Sequence, residues 1–226
     1  MKKIVITGSE GLIGKELCKS LKKEYEVICL DITLGHDLTN PNFVEKFFMN
    51  NKNLYGLIIL HAYNPKPLIN SKKIEPIDYS LNDLKDYFNT NVISAFDVCR
   101  NFIKNNKSGR IINVSSLYGE VAPKHHIYQK NFTKHIGYGL SKSSIIMLTK
   151  YLATYYSDYN INTVVLGGVF QKGLDKNFVI KYNENTPKKR MMKIKETISC
   201  FKFLLDPSST YVTGTEIKVD GGWTAW

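Results

Sequence analysis

Residues 3–14 read Lys3-Ile4-Val5-Ile6-Thr7-Gly8-Ser9-Glu10-Gly11-Leu12-Ile13-Gly14. The apolar run Lys3 to Thr7 predicts a buried strand. The glycines predict a tight turn, and Gly14 to Lys22 follows with the spacing of an amphipathic helix. The same alternation continues down the chain. Strands are expected at Tyr25–Asp31, Leu54–Leu60, Arg110–Ser115, Asn162–Leu166 and Glu216–Val219. Helices are expected at Pro41–Asn50, Leu81–Lys104, Tyr138–Tyr156 and Ile194–Leu205, the first with proline near its opening turn. Strands alternating with helices predict an α/β fold. The architecture is a doubly wound parallel sheet, a Rossmann fold of about seven strands with helices on both faces.

The chain has 226 residues, enough for one nucleotide-binding α/β domain over 1–226 and too few for a second full domain. A hydrophobic fraction of 43% supports a real core and argues against disorder. No apolar run has membrane-spanning length, and the N-terminal one is too short for a signal peptide, so a cytoplasmic protein is expected. Cys18, Cys29, Cys99 and Cys200 are scattered without ligand spacing, which predicts reduced thiols and no metal site. The net charge of +11 is spread along the chain, with one dense cluster at Lys188-Lys189-Arg190. No recognition helix or aromatic-basic motif accompanies it, so a solvated surface is expected and nucleic acid is not. Three irregular stretches follow predicted strands, near 63–77, 120–137 and 171–190. Each is a candidate wall of a ligand crevice.

The turn Gly8 to Gly14 has strand before it and helix after it, as a dinucleotide cradle requires. Glycine there permits close backbone approach to pyrophosphate, and the helix N-terminus presents free N–H groups and a positive dipole end. Gly8, Ser9, Gly11, Leu12, Ile13 and Gly14 are the candidate phosphate contacts. Asp31 ends the second strand, 23 positions after Gly8. A carboxylate there accepts from ribose hydroxyls and repels a 2′-phosphate, which favours NAD over NADP; the alternative is a simple turn cap. Asp37 and Leu38 could flank the adenine, or Asp37 could serve as an N-cap.

Tyr138-Gly139-Leu140-Ser141-Lys142 places a phenol and an ammonium on one helical face. A nearby cation should lower the tyrosine pKa toward working pH, making Tyr138 a general acid/base. With this pair go Thr90-Asn91-Val92, the strand Gly109 to Ser116 ending in two serines, and Val219-Asp220-Gly221-Gly222. The ordered set resembles the short-chain dehydrogenase/reductase family over nearly the whole chain. The resemblance implies an NAD(P)-dependent oxidoreductase that interconverts an alcohol and a ketone by hydride transfer. It implies Ser116 on the substrate oxygen, Tyr138 as proton carrier and Lys142 on the nicotinamide ribose. Asn91 would hold a relay water, and His61, Ala62, Gly167 and Val169 would line the cofactor. Four departures accompany it. The glycine spacing matches the family's sugar-nucleotide branch. Leu60-His61-Ala62-Tyr63 stands where Asn-Asn-Ala-Gly is usual. Leu166-Gly167-Gly168-Val169 replaces a Pro-Gly start, with Gln171 where a threonine is usual. Finally, Ser116 and Tyr138 lie 22 positions apart, a longer gap than usual.

The long gap carries His125, His126, Tyr128 and His135 and should hang over the active site. It looks like dehydrogenases of bacterial flagellin and surface-sugar modification, implying a small-molecule substrate such as a phosphorylated or nucleotide-linked sugar. Its His and Lys residues, with Lys188, Lys189 and Arg190, could contact phosphates; equally, the insert could pack on a neighbouring subunit. Two other readings stand beside the dehydrogenase. One is an NAD-dependent sugar-nucleotide epimerase or dehydratase, and the other a non-catalytic NAD-binding regulator. A homodimer or homotetramer is expected, because Ile145, Ile146, Leu148, Leu152 and Tyr155 give one helix more apolar surface than a sheet face needs.

Overall fold

The computed structural model describes residues 1–65 and 74–226; part of the 63–77 stretch, including Pro67, lies outside the described residues. Six parallel strands form one sheet, and the helices cover both faces. The strands are β1 (Lys3–Thr7), β2 (Glu26–Leu30), β3 (Gly56–Ile59), β4 (Gly109–Ser116), β5 (Tyr159–Leu166) and β6 (Glu216–Val219). The sheet order is β2-β1-β3-β4-β5-β6. The direction of winding reverses between β1 and β3, which opens a crevice at the carboxyl ends of those two strands.

Alternate residues of each strand feed opposite faces of the sheet. Val5, Leu57, Ile111 and Ile161 point to one side. There they pack on α2 (Pro41–Asn50), α4 (Ser94–Asn105) and α5 (Ile136–Tyr155) through Phe48, Phe102 and Leu152. Ile4, Ile6, Ile58, Ile112 and Val164 point to the other side. They meet α1 (Leu12–Leu21) and α7 (Ile198–Leu205) through Leu17, Phe201 and Leu205. A tight turn at Ile194–Thr197 runs into α7, so the helix expected from Ile194 forms in two parts.

The expectation of about seven strands is corrected to six. A further parallel strand beyond β2 would need a crossover of a dozen or more residues. Only ten residues separate Leu30 from Pro41, and they form a short 3-10 turn at Ile32–Leu34 and two side-chain-capped turns. β2 is therefore the edge of the sheet.

The long helix expected over Leu81–Lys104 is also interrupted. It begins as α3 (Leu81–Phe88), capped by the Ser80 hydroxyl, passes through a π turn at Asn89–Ile93, and resumes as α4. π turns inside helices commonly mark functional positions. The 171–190 stretch is not irregular throughout. It contains α6 (Lys176–Glu184), whose first turn is capped by the Asp175 carboxylate accepting from Phe178 N–H at 2.8 Å. The short helix is mostly polar; Phe178, Val179 and Tyr182 pack it on the body, and Lys181 donates to the His126 carbonyl.

The apolar surface of α5 is divided otherwise than expected. Ile145, Ile146 and Leu152 are buried in the subunit's own core, and Leu148 packs against it. The outward face carries Leu140, Met147, Tyr151 and Tyr155, at i, i+7, i+11 and i+15. All four cysteines are free, and among the described residues no cluster of His, Cys, Asp or Glu has the makings of a metal site. Among the described residues, no helix is long and apolar enough to cross a membrane.

Phe102 is fully buried edge-on to Phe48 and 6.3 Å from the Tyr159 ring, joining α2, α4 and β5. Phe102→Ala should cost about 3–5 kcal/mol. Urea unfolding should show a lower midpoint with an unchanged slope.

Candidate active site

The crevice begins at the glycine turn. Gly8 has φ +63, and a side chain there would meet the backbone of His61 at 2.7 Å. A Cβ on Gly14 would lie 2.2 Å from the Gly8 carbonyl oxygen. Both positions therefore exclude any larger residue. The first turn of α1 receives no side-chain cap and holds no acidic residue. The Ser9 hydroxyl is buried without a partner. A buried orphan hydroxyl beside uncapped helix N–H groups fits the pyrophosphate of a dinucleotide.

Asp31 is buried at the carboxyl end of β2. One oxygen accepts from Thr33 N–H and its hydroxyl at 3.0 and 2.9 Å, and the other accepts from Glu10 N–H at 2.9 Å. Burial alone would raise its pKa, but these donors outweigh it and hold the carboxyl below its usual value. Asp31 thus both caps a turn and pins the glycine loop to β2. Asp37 is exposed and accepts from Thr39 N–H and hydroxyl. Leu38 is packed in the core, so neither side chain is directed to an adenine by anything bonded to it.

His61 does not stand in for an asparagine facing a ribose. Its Nδ1 lies 2.7 Å from the Thr7 hydroxyl and its Nε2 lies 2.7 Å from the Ser94 hydroxyl. Ser94 donates to the Thr90 carbonyl, so Nε2 is the protonated nitrogen and Nδ1 accepts from Thr7. The ring ties the end of β1 to α4. Burial, reinforced by the charge of Lys142, pushes its pKa down to about 3, and Asp31 acts in the opposite sense. His61 therefore senses the charges of both Lys142 and Asp31. Ala62, next along, is exposed.

The C-terminal end of β4 meets the first turns of α5. The helix starts two residues earlier than expected, with His135 Nδ1 accepting from Gly137 N–H at 3.0 Å. Tyr138 and Lys142 then lie one turn apart, and the Ser116 hydroxyl lies near enough to the Tyr138 phenol to act on its ionisation. Lys142 is buried and donates to the Val114 carbonyl at 3.0 Å, its Nζ 6.0 Å from the Tyr138 ring. Burial lowers the Lys142 pKa to about 8. The expected depression of the Tyr138 pKa is not found. Burial raises it, and the neighbouring Ser116 hydroxyl only moderates the rise.

Asn91 sits in the π turn, fully engaged. Its Oδ1 accepts from Tyr63 N–H at 2.5 Å, and its Nδ2 donates to the Tyr63 carbonyl at 3.1 Å and the Ser141 hydroxyl at 3.0 Å. The amide clamps the loop after β3 onto α5, and this occupies the side chain expected to hold a relay water. Gly167 admits no side chain, since a Cβ would lie 2.8 Å from the Asp220 backbone. Val169 pairs with Met192 across an isolated bridge. Asp220 caps its own turn through Gly222 and Thr224, so the Val-Asp-Gly-Gly segment serves to seat Trp223 in the interior.

The insert does not hang free. Ile127, Tyr118 and Tyr128 pack with Tyr182, Phe178 and Trp223 on α6 and the C-terminal turn. Tyr118 and Tyr128 share a hydroxyl contact of 2.6 Å, and both, with Tyr87, lie near enough to Tyr138 that its ionisation would oppose theirs. His125 and His126 are exposed, and His135 stacks on Tyr79 and Tyr87. Arg190 is held bidentate by Glu196 at 2.6 and 2.7 Å, and Lys189 donates to the Glu184 carbonyl. Lys188 lines a cleft of about 160 Å³ with Gly167, Gly168 and Asp220, but neither Ser116 nor Tyr138 borders it. Lys134, one of the insert's lysines offered above as phosphate contacts, was not singled out from the sequence as a neighbour of Tyr138. It lies just before α5, where helical spacing offers no guide, yet its Nζ is 4.2 Å from the Tyr138 ring centroid.

A family model described as Enoyl-(Acyl carrier protein) reductase matches residues 3–224. The chain belongs to the short-chain dehydrogenase/reductase family. It is an oxidoreductase of that family. It is 26% identical to the post-translational flagellin modification protein A of Campylobacter coli over 97% of each chain. It is 28% identical to an NADH-dependent L-xylulose reductase of Ambrosiozyma monospora, over 84% of this chain and 72% of that one. A crystal structure of a short chain dehydrogenase from Leptospira borgpetersenii with bound NAD+ superposes with a TM-score of 0.85. That pair is 26% identical over 99% of this chain and 92% of that one.

The state of His61 is open to a direct test. Its folded pKa lies below its unfolded value, so its contribution to stability is complete above pH 6.5 and is lost as pH falls toward 3. Urea titrations across that range should show a shallower acid loss for His61→Asn than for the parent.

Proposed function

We propose that this chain is an NAD(H)-dependent alcohol/ketone oxidoreductase acting on a polyol, sugar or sugar derivative. The observation that carries the reading is the meeting of the Ser116 hydroxyl and the Tyr138 phenol beside the buried Lys142. A nicotinamide coenzyme in the glycine cradle would supply or accept the hydride. Ser116 would donate to the substrate oxygen and hold charge that develops there. Tyr138 would carry the proton: its raised pKa keeps the phenol protonated, which suits a donor in the reductive direction. Lys142 would turn its N–H groups from the Val114 carbonyl toward a ribose. Asn91 would act by positioning, through the Tyr63 backbone and Ser141.

The NAD preference rests on Asp31. Its carboxylate stays ionised in the crevice, where a 2′-phosphate would meet like charge. A polar substrate is supported by the hydroxyls of Ser116 and Tyr138 at the carboxyl end of β4. It is supported also by the kinship with the xylulose reductase and the flagellin modification protein. The exposed row Leu140, Met147, Tyr151 and Tyr155 on α5, with Phe96 on α4, supports a homodimer or homotetramer.

The test is a ketose and polyol screen read at 340 nm with NADH and NADPH. Turnover with NADH on a ketose is expected, and Tyr138→Phe should reduce kcat by about a hundredfold or more while NADH still binds. An unimpaired Tyr138→Phe would overturn the mechanism. Asp31→Ser should shift the NADH/NADPH preference toward NADPH by about tenfold or more; an unchanged ratio would remove the basis for NAD selectivity.

A further inference from the structure

Lys134 is the last lysine before α5, and two neutral groups hold its ammonium. It donates to Asn64 Oδ1 at 2.5 Å, and it lies over the face of the Tyr138 ring, 4.2 Å from the centroid. The contacts bridge the insert to the loop after β3, across the mouth of the site. Among the described residues, no carboxylate comes within ion-pair distance of it. Other lysines of the chain do find such partners, for example Lys3 with Glu26, Lys150 with Glu216 and Lys218 with Glu120. Burial pushes the Lys134 pKa down to about 8, as it does for Lys142. The cost of holding a cation out of water is not met here by an opposite charge of the protein. An aromatic face and one amide oxygen are weaker partners than a carboxylate or phosphate, and an ammonium has three N–H groups to offer.

The reacting oxygen of a substrate on Tyr138 would sit one hydrogen bond, about 2.7 Å, beyond the phenol. A group on the same small molecule therefore comes within reach of Lys134. We infer that Lys134 is a specificity-determining residue that binds an anionic oxygen group, carboxylate or phosphoryl, carried on the same carbon chain as the reacting carbonyl. The assignment rests on the alcohol/ketone reading above and narrows it to acidic sugars or sugar phosphates. The dense cluster at Lys188-Lys189-Arg190 lies apart from Tyr138: Arg190 is paired with Glu196, Lys189 donates to a backbone carbonyl, and the cleft that Lys188 lines is bordered by neither Ser116 nor Tyr138. Lys134 differs from all of them in lying against the proton-carrying phenol itself.

The experiment compares three ketoses, ribulose, ribulose 5-phosphate and 5-ketogluconate, as substrates for the parent, Lys134→Met and Lys134→Arg. In the parent, kcat/KM should favour one of the anionic ketoses over ribulose, and which one it is distinguishes phosphoryl from carboxylate. In Lys134→Met that ratio should fall by at least about tenfold, mainly through KM, and Lys134→Arg should restore part of it. A ratio unchanged by Lys134→Met, in a variant that melts and binds NADH as the parent does, would overturn the assignment. Should no ketose be turned over, the functional reading falls, and the Lys134 site is read by binding alone. Inorganic phosphate should raise the melting temperature of the NADH-loaded parent and not that of NADH-loaded Lys134→Met; equal shifts would overturn it.

Discussion

The seam between β4 and α5 is the constraint on which the rest of the molecule depends. The Ser115 hydroxyl donates to the Lys142 carbonyl at 2.8 Å, and the Lys142 ammonium returns to the Val114 carbonyl. About two turns further on, Thr149 receives the Asn113 amide and the Thr163 hydroxyl and so joins β4, β5 and α5. Gly119 passes so near the Lys142 backbone that a Cβ there would sit 2.8 Å away. Each bond contributes only about 1 kcal/mol net, but an unmet buried partner costs more than that. The seam therefore has one register. That register sets Tyr138 against Ser116 and directs Lys142 inward.

A second consequence is electrostatic. Lys142 and Lys134 are both cations withdrawn from water, and both have lowered pKa values. His61, between the lysine and the nucleotide end, is kept neutral by burial and by the nearby positive charge. Tyr138 is kept protonated by burial. The side chains around the reacting position are thus arranged for an anionic occupant. The phenol only needs to be at its working pKa once coenzyme and substrate are in place.

Much of this was legible in the chain. Ile4, Ile6, Ile58, Ile111 and Ile112 lie in nearly continuous apolar runs because each strand is covered on both faces, and such runs locate strands to within a residue or two. Gly8 and Gly14 announced a turn that tolerates nothing larger. The features that escaped are of a different kind. The absent edge strand is a matter of too few residues between Leu30 and Pro41, which strand propensity does not weigh. The π turn at Asn91 arises from a clamp on Tyr63, 28 positions away. α6 is short and polar, and three side chains seated beside Trp223 anchor it. The outward apolar row of α5 was misread because a helix apolar on every side leaves its buried face unmarked.

By itself the sequence determined the order of elements, the parallel sheet, the cradle at Gly8–Gly14 and the pairing of Tyr138 with Lys142. Those rest on periodicity and on contacts between near neighbours, which a linear string carries. Only the tertiary structure decided where the polar groups of the site end up. It turned His61 to Thr7 and Ser94, Asp31 to the glycine loop, and Asp37 to its own turn. It also brought Lys134 over Tyr138 from a segment with no repeating pattern. A hydrogen bond or a stacked charge depends on distances between atoms far apart in the chain, and packing alone sets those distances.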